Sequence, residues 1–332
     1  MQRTPSRETR RRALRSLAAA LGLTLVSPLL LAQAAWPSKP VTLIVPFAPG
    51  GSTDVVARML GQKLGEMWHQ TVIIDNRAGA GGNIGAALVA KAAPDGYTLL
   101  MASGSILTVN PHLYQKLPFD AKKDFVPITN VASGPMVVLV PMASEVKTLK
   151  ELVAKAKAEP GRVTFGSAGQ GSQVHMAAEK LADAAGLDLQ HIPYKGEALA
   201  YSDLMSGQIQ MVVGNIGAAL SLVTDGRLRA LAVTGRERSK MMPDVPTVME
   251  SGIAYENSGW FGLLAPAGTP KEIVDQIQRA TVQVLAQTEV KARLFTQGMT
   301  AVGNAPAEFG TAIEQESKSW AAIVKNRKLS TN

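Results

Sequence analysis

The chain has 332 residues and no cysteine, with 34 Lys plus Arg against 26 Asp plus Glu, a formal net charge of +8. Without cysteine there is no disulfide, thiolate nucleophile or Cys-ligated metal. Stability has to come from the core, and the length suffices for one large core or two medium ones. The positive balance is not a nucleic-acid signature. Six Arg and one Glu before residue 35 carry +5 of it, leaving +3 on a remainder with no basic stripe interleaved with aromatics.

The amino end reads as a secretory leader. Its arginine-rich start precedes an uncharged run of 15 residues, Leu17 to Leu31, shorter than the ~20 that span a bilayer. The run ends in Ala32-Gln33-Ala34, a small-x-small cleavage pattern. The sequence predicts a signal peptide over residues 1–34, cleavage after Ala34 and a mature protein in the periplasm. Thr9-Arg10-Arg11-Arg12-Ala13-Leu14 resembles a twin-arginine export motif. Arginine-rich leaders of the general secretory route look similar, so the route stays open.

The first mature unit is a buried strand over residues 41–45, a Pro/Gly loop through Phe47, Ala48, Gly50 and Gly51, and a helix with Ser52 or Thr53 as its expected cap. The free amides and positive dipole end of such a helix form a site for an anion such as a carboxylate or phosphate. A second strand at 71–75 leads through a glycine-rich turn into an Ala-rich helix. A third, at 97–102, ends in Ser103-Gly104-Ser105. Alternating strands and helices argue a parallel sheet with right-handed crossovers and ligand loops at the strand ends.

Residues 127–131 and 136–140 read as two further extended segments, and 149–158 as a helix stopped by Pro160-Gly161. A second series then opens with the strand Val163-Thr164-Phe165, the loop 166–172 and a helix over 173–185. Extended or helical segments follow at 190–193, 203–205, 210–213 and 228–233. Residues 260–266 are again extended, Thr269 and Pro270 start a helix, and 273–325 is mostly helical. The sum is two α/β lobes, the first completed by the C-terminal helices, with the chain crossing between them near 131–138 and 254–262. The expected divisions are 35–135 and 256–332 for lobe 1 and 136–255 for lobe 2.

The chain has no G-x-S-x-G elbow and no phosphate loop of the form G-x-x-x-x-G-K-[ST]. Gly79, Gly81 and Gly85 fall one residue off the dinucleotide fingerprint. The four His, at 69, 112, 175 and 191, have no metal spacing, and neither metal nor cofactor is expected. The loops 48–53, 103–105 and 167–172 contain no charged residue. Fixed neutral donors suit reversible binding of a carboxylate, whereas hydrolysis needs a base beside a nucleophile. An enzymatic alternative would pair Ser167 or Ser172 with His175.

Six segments carry a family resemblance: residues 46–54 (PFAPGGSTD), 76–83 (NRAGAGGN), 94–97 (PDGY), 166–169 (GSAG), 193–196 (PYKG) and 263–270 (LLAPAGTP). In order and spacing this series resembles the Bug family, the TctC-like periplasmic solute-binding receptors of tripartite tricarboxylate transporters. The resemblance implies a type II periplasmic-binding-protein fold, two α/β lobes joined by two crossing strands with the ligand between them. It implies a monomer that binds a small organic acid and hands it to membrane permease subunits. A sensor that reports ligand to a membrane kinase is the alternative. The family's carboxylate-gripping loops match Phe47, Ala48, Gly50, Gly51, Ser52 and Thr53 on one side and Ser167, Ala168 and Gly169 on the other, with Ser103, Ser105, Ser172 and Tyr194 as further candidates. Two positions depart from the family. Glu197-Ala198-Leu199-Ala200 stands where a Gly-x-Pro-Ala-like segment is usual, and Gly214-Asn215 where a Phe-Asp pair is common.

Overall fold

A computed structural model describes residues 36–330, so the predicted leader and its cleavage site lie outside the described residues. The chain falls into two units, Met1–Ser38 and Lys39–Asn332, and the second carries every element below. Its first strand, β1 (Val41–Val45), is almost fully buried, as expected of a run that is Val, Leu or Ile at every position but Thr42 and is covered on both faces. β1 pairs in parallel with β2 (Val72–Asn76) and with β3 (Thr98–Ser103). Helices α1 (Ser52–Trp68) and α2 (Asn83–Ala90) make the crossovers. Beyond β3 lie two single-turn helices, α3 (Ser105–Thr108) and α4 (Asn110–Leu113).

The two extended segments expected at 127–131 and 136–140 are one strand, β4 (Phe125–Pro141), of 17 residues. Pro127, Gly134 and Pro135 interrupt its hydrophobic alternation, and its register shifts twice against β9 (Ser258–Pro266). β9 is antiparallel both to β4 and to β3, so it joins β4 to the first parallel group. The next elements are α5 (Leu149–Ala158), β5 (Thr164–Ser167), α6 (Gln173–Ala185), β6 (Gln190–Pro193) and α7 (Glu197–Met205). β7 (Met211–Asn215), α8 (Ile216–Thr224) and β8 (Leu228–Val233) complete the second series. β5 pairs in parallel with β6 and β7, and β7 and β8 both flank β4 antiparallel.

β4 therefore belongs to both halves. Up to Pro135 it pairs with β9, and from Met136 onward with β7 and β8. The change of partner is tied down by Thr234. Its hydroxyl accepts from the Met136 amide at 2.7 Å and donates to the Asn257 carbonyl at 2.7 Å. Its own amide donates to Met136 O, and its carbonyl accepts from the Asn257 amide, each at 2.8 Å. Both chain crossings meet at this one threonine.

The C-terminal elements are α9 (Lys271–Ala286), α10 (Thr288–Thr296), a short β10 (Thr300–Ala301) against β4, and α11 (Pro306–Asn326). Pro270, not Thr269, is the N-cap of α9, and the Thr269 hydroxyl donates to Pro266 O instead. No described helix is long and apolar enough to cross a membrane.

Candidate functional site

The strands of both series end at the same cavity, and their connecting loops wall it. Counted out to its solvent-open mouth, it measures about 320 Å³. Four of its lining residues, Gly51, Ser172, Gly196 and Asn215, are the N-caps of α1, α6, α7 and α8. The positive ends of four helix dipoles thus converge from both halves on one space. The lining holds no Lys or Arg.

At α1 the cap differs from the sequence expectation. Gly51 is the N-cap, no side chain caps the helix, and Ser52 and Thr53 are its first two residues. Ser52 is 2 % exposed and its buried hydroxyl lacks a partner, as does that of Ser103, a residue 1 % exposed. An orphaned buried hydroxyl costs about 1–3 kcal/mol, so two of them on one cavity mark places for a ligand oxygen. Asp54 fixes the loop from behind. Its carboxylate accepts from the Gly50 amide at 3.0 Å, Arg58 Nε at 2.9 Å and Asn76 Nδ2 at 2.9 Å. Burial alone would raise its pKa, but these donors outweigh it and hold the group below its usual value.

Of the residues singled out from sequence, Phe47, Ala48, Gly51, Ser52, Thr53, Ser103, Ala168 and Ser172 line the cavity. Five lie elsewhere. Gly50 is an exposed turn residue. Ser105 has a buried, unpartnered hydroxyl off the lining. Gly169 packs against Gly81, and the Tyr194 hydroxyl donates to Asp203 at 2.6 Å. Ser167 faces away, paired with His191 Nε2 at 2.6 Å.

The serine–histidine pairing expected of a hydrolase is absent in the form considered. Ser172 caps α6 by accepting from the His175 amide, and His175 Nδ1 accepts from the Gly171 amide. The ring beside Ser167 is His191, whose Nδ1 meets Gln170 Oε1 at 3.0 Å. An amide oxygen only accepts, so Nδ1 carries the proton and Nε2 accepts from Ser167. Burial, with His175 stacked at 3.9 Å, pushes His191 down to about 2. The ring stays neutral, no carboxylate orients it, and Ser167 is fully buried off the cavity. Among the described residues no group of three or more His, Asp or Glu could hold a metal ion.

Sequence reasoning missed Gln173, Val174, Gly196, Glu197 and Asn215 in the lining. Glu197, 5 % exposed, accepts at Oε1 from the Asn215 amide at 2.9 Å and the Tyr201 hydroxyl at 3.1 Å. Its Oε2 accepts from Asn215 Nδ2 at 2.9 Å. The two departures from the family pattern are one contact. An Asp at 215 would keep the backbone donation but lose the side-chain one, and would set two carboxylates together. A Cβ at 214 would lie 2.0 Å from the Tyr201 hydroxyl, so Gly214 is what lets Tyr201 reach Glu197.

The halves meet around the cavity. The Tyr114 hydroxyl donates to Gln170 O at 2.8 Å, and the Ala48 amide to Lys195 O at 3.4 Å. Gly81, at φ 61°, abuts the Gln170 carbonyl so closely that a Cβ would sit 2.0 Å from it. The glycine cluster that nearly matched a nucleotide fingerprint is the seat of this loop.

Residues 56–329 match the family described as the tripartite tricarboxylate transporter family receptor, TctC. The chain belongs to this family. Among curated TctC relatives, it is 38% identical to Protein BugT of Bordetella pertussis over 87% of this chain and 90% of that one. It is 36% identical to the UPF0065 protein in the tcbD-tcbE intergenic region of Pseudomonas sp. strain P51, over 97% and 96%. Three solved structures superpose closely. Rpa4515 of R. palustris with adipate gives a TM-score of 0.86 at 32% identity, over 89% of this chain and all of that one. The periplasmic binding protein BugD gives 0.84 at 32%, with the same coverage. MatC of Rhodopseudomonas palustris with bound malate gives 0.84 at 31%, over 87% of this chain and all of that one. The fold is the type II periplasmic-binding-protein fold, and the chain is a periplasmic TctC-family solute-binding protein, a receptor family and not an enzyme family.

Proposed function

We propose that the protein captures a small organic carboxylate in this cavity and delivers it to the permease subunits of a tripartite tricarboxylate transporter, acting as a monomer. One observation carries the reading: four helix N-termini, with unpartnered Ser52 and Ser103 hydroxyls, surround a cavity without a cationic side chain. Amide and hydroxyl donors fixed in place bind a carboxylate reversibly, because they satisfy its oxygens without a full opposing charge. The adipate and malate held by the two superposed proteins support the same ligand class. Phe47, Ala48, Gly51, Ser52, Thr53 and Ser103 form the lobe 1 wall, and Ala168, Ser172, Gln173 and Asn215 the lobe 2 wall.

The partner switch in β4 supports lobe divisions at 135/136 and near 256, with Thr234 at the hinge. Residues 1–34 act as the export signal in this reading, and intact-mass measurement of protein isolated from the periplasm should give a chain that begins at Ala35; residues 1–34 still attached would overturn it. The decisive experiment is a thermal-shift screen of residues 35–332 against a library of small organic acids. At least one acid raises the melting temperature by several degrees. A library in which no acid does so sinks the carboxylate reading.

A further inference from the structure

Resting on the hinged-receptor reading, we infer that Glu197 is a built-in occupant of the anion seat at the start of α1, a latch that holds the two halves together before any ligand enters.

A carboxylate offers about four acceptor positions, and those of Glu197 are all taken. Three donors come from its own half: Asn215 N at 2.9 Å, Asn215 Nδ2 at 2.9 Å and the Tyr201 hydroxyl at 3.1 Å. The fourth is the Ser52 amide, which belongs to the other half. Ser52 is the first residue of α1, a helix of 17 residues. Its amide therefore stands at the positive end of a long helix dipole, where an anion is favoured. Here the chain itself supplies the anion, and Glu197 is the one charged residue in the cavity lining.

The backbone on either side is docked in the same way. The Ala48 amide donates to Lys195 O at 3.4 Å, and a Cβ on Gly196 would lie 3.1 Å from that of Ala48. Residues 195–197 thus run along 48–52 across the cleft, joined by backbone at one end and by the Glu197 carboxyl at the other. Separating the halves would strip this buried carboxyl of one of its four donors. A hydrogen bond to a charged group is strong enough that its loss lowers the closed-to-open ratio roughly ten- to a hundredfold.

The three bonds within its own half would by themselves make Glu197 a fastener of α7 to α8. Only the Ser52 contact brings in the other half, and it can be removed singly. Ser52→Pro deletes the amide hydrogen and keeps the helix, because Pro suits the first helical position. Gly51, at φ −80° and ψ 167°, already has the extended backbone that a residue before Pro requires. Ser52→Ala deletes the hydroxyl alone and serves as the control.

Small-angle scattering of ligand-free residues 35–332 compares the unsubstituted protein with Ser52→Ala and Ser52→Pro, each checked for folding by circular dichroism. The first two share one compact radius of gyration, and that of Ser52→Pro is larger. A Ser52→Pro protein as compact as Ser52→Ala overturns the latch, as does an unsubstituted protein as expanded as Ser52→Pro. Either result leaves the carboxylate reading intact, since the screen of organic acids decides that separately. If Ser52→Pro does not fold, Glu197→Ala decides. It removes a CH2–COO⁻ group the size of acetate, so the variant is expanded in acetate-free buffer and becomes compact when acetate refills the seat. A Glu197→Ala protein that is compact without acetate, or still expanded in saturating acetate, overturns the latch.

Discussion

Tyr114 reaches across the cleft and donates its hydroxyl to the Gln170 carbonyl at 2.8 Å. Tyr114 follows α4 in the first half, and Gln170 lies in the loop before α6 in the second. Burial pushes the phenol up to about 12, so it remains a donor at any working pH. Removing the hydroxyl deletes one closing hydrogen bond, about 0.5–1.5 kcal/mol. That shifts a two-state hinge toward its open form and weakens apparent affinity by the same free energy. Tyr114→Phe is expected to lower affinity roughly two- to tenfold. Small-angle scattering should show a larger ligand-free radius of gyration that contracts to the unsubstituted value on saturation. An identical radius in both ligand-free proteins would show that this bond does not govern closure.

Stability and binding pull in opposite directions at Ser52. Its hydroxyl is buried without a partner, so Ser52→Ala removes an unsatisfied polar group and should leave the melting temperature unchanged or raise it. The same change deletes a donor to the ligand carboxylate. A lost charge-assisted bond costs about 1.5–3 kcal/mol, ten- to over a hundredfold in Kd. Calorimetry and differential scanning of one preparation test both halves. A protein that loses stability but keeps affinity would show the hydroxyl to be structural. Gly51, by contrast, is a weak probe of the turn. Its φ of −80° suits any residue, and a Cβ there would make an ordinary 3.8 Å contact with Ala48 O.

The local units of this fold were legible in the sequence because each is spelled by contiguous residues. The run 41–45 followed by a glycine loop specifies a strand and a helix start, and 163–185 repeats the device. β4 was not legible as one strand. Pro127 and Pro135 lack the amide that a ladder requires, and only β9, more than a hundred residues later, supplies the pairing that bridges them. The site divided along the same line. Ser52 opens the helix after β1 and Ser103 ends β3, both places that local pattern marks. Glu197 and Asn215 are 18 residues apart, and only the fold makes two separate departures from the family pattern a single hydrogen-bonded pair. The trace in the sequence was compensation: one position lacks the customary acid while the other has gained one.

Asp54 gives a pH dependence of known sign. Its pKa in the folded chain lies below the ordinary value, because Arg58, the Gly50 amide and Asn76 outweigh the opposing effect of burial. The stability it contributes is complete above pH ~4 and disappears as pH falls through the depressed folded value. Asp54→Asn should cost about 1.5–3 kcal/mol near neutrality, measured by urea unfolding. The deficit should stay constant between pH 7 and 5, then shrink below pH 4. A deficit already shrinking at pH 6 would mean that another group carries it.

Glu197 titrates in the opposite sense. Burial raises its pKa, and the donors from Asn215, Tyr201 and Ser52 offset that only in part. The folded protein therefore holds a proton on this group at a pH where the unfolded chain, with a pKa near 4.3, has released it. Its stabilising effect is complete below that unfolded value and is lost as pH rises through the raised folded one. Subtracting Glu197→Gln from the unsubstituted protein isolates this dependence from that of Glu316, whose pKa burial also raises. The difference in unfolding free energy should move against the unsubstituted protein as pH climbs from about 4.5 toward neutrality. A difference that stays constant from about pH 4.5 to 7, with both proteins folded, would show that Glu197 does not carry this pH dependence.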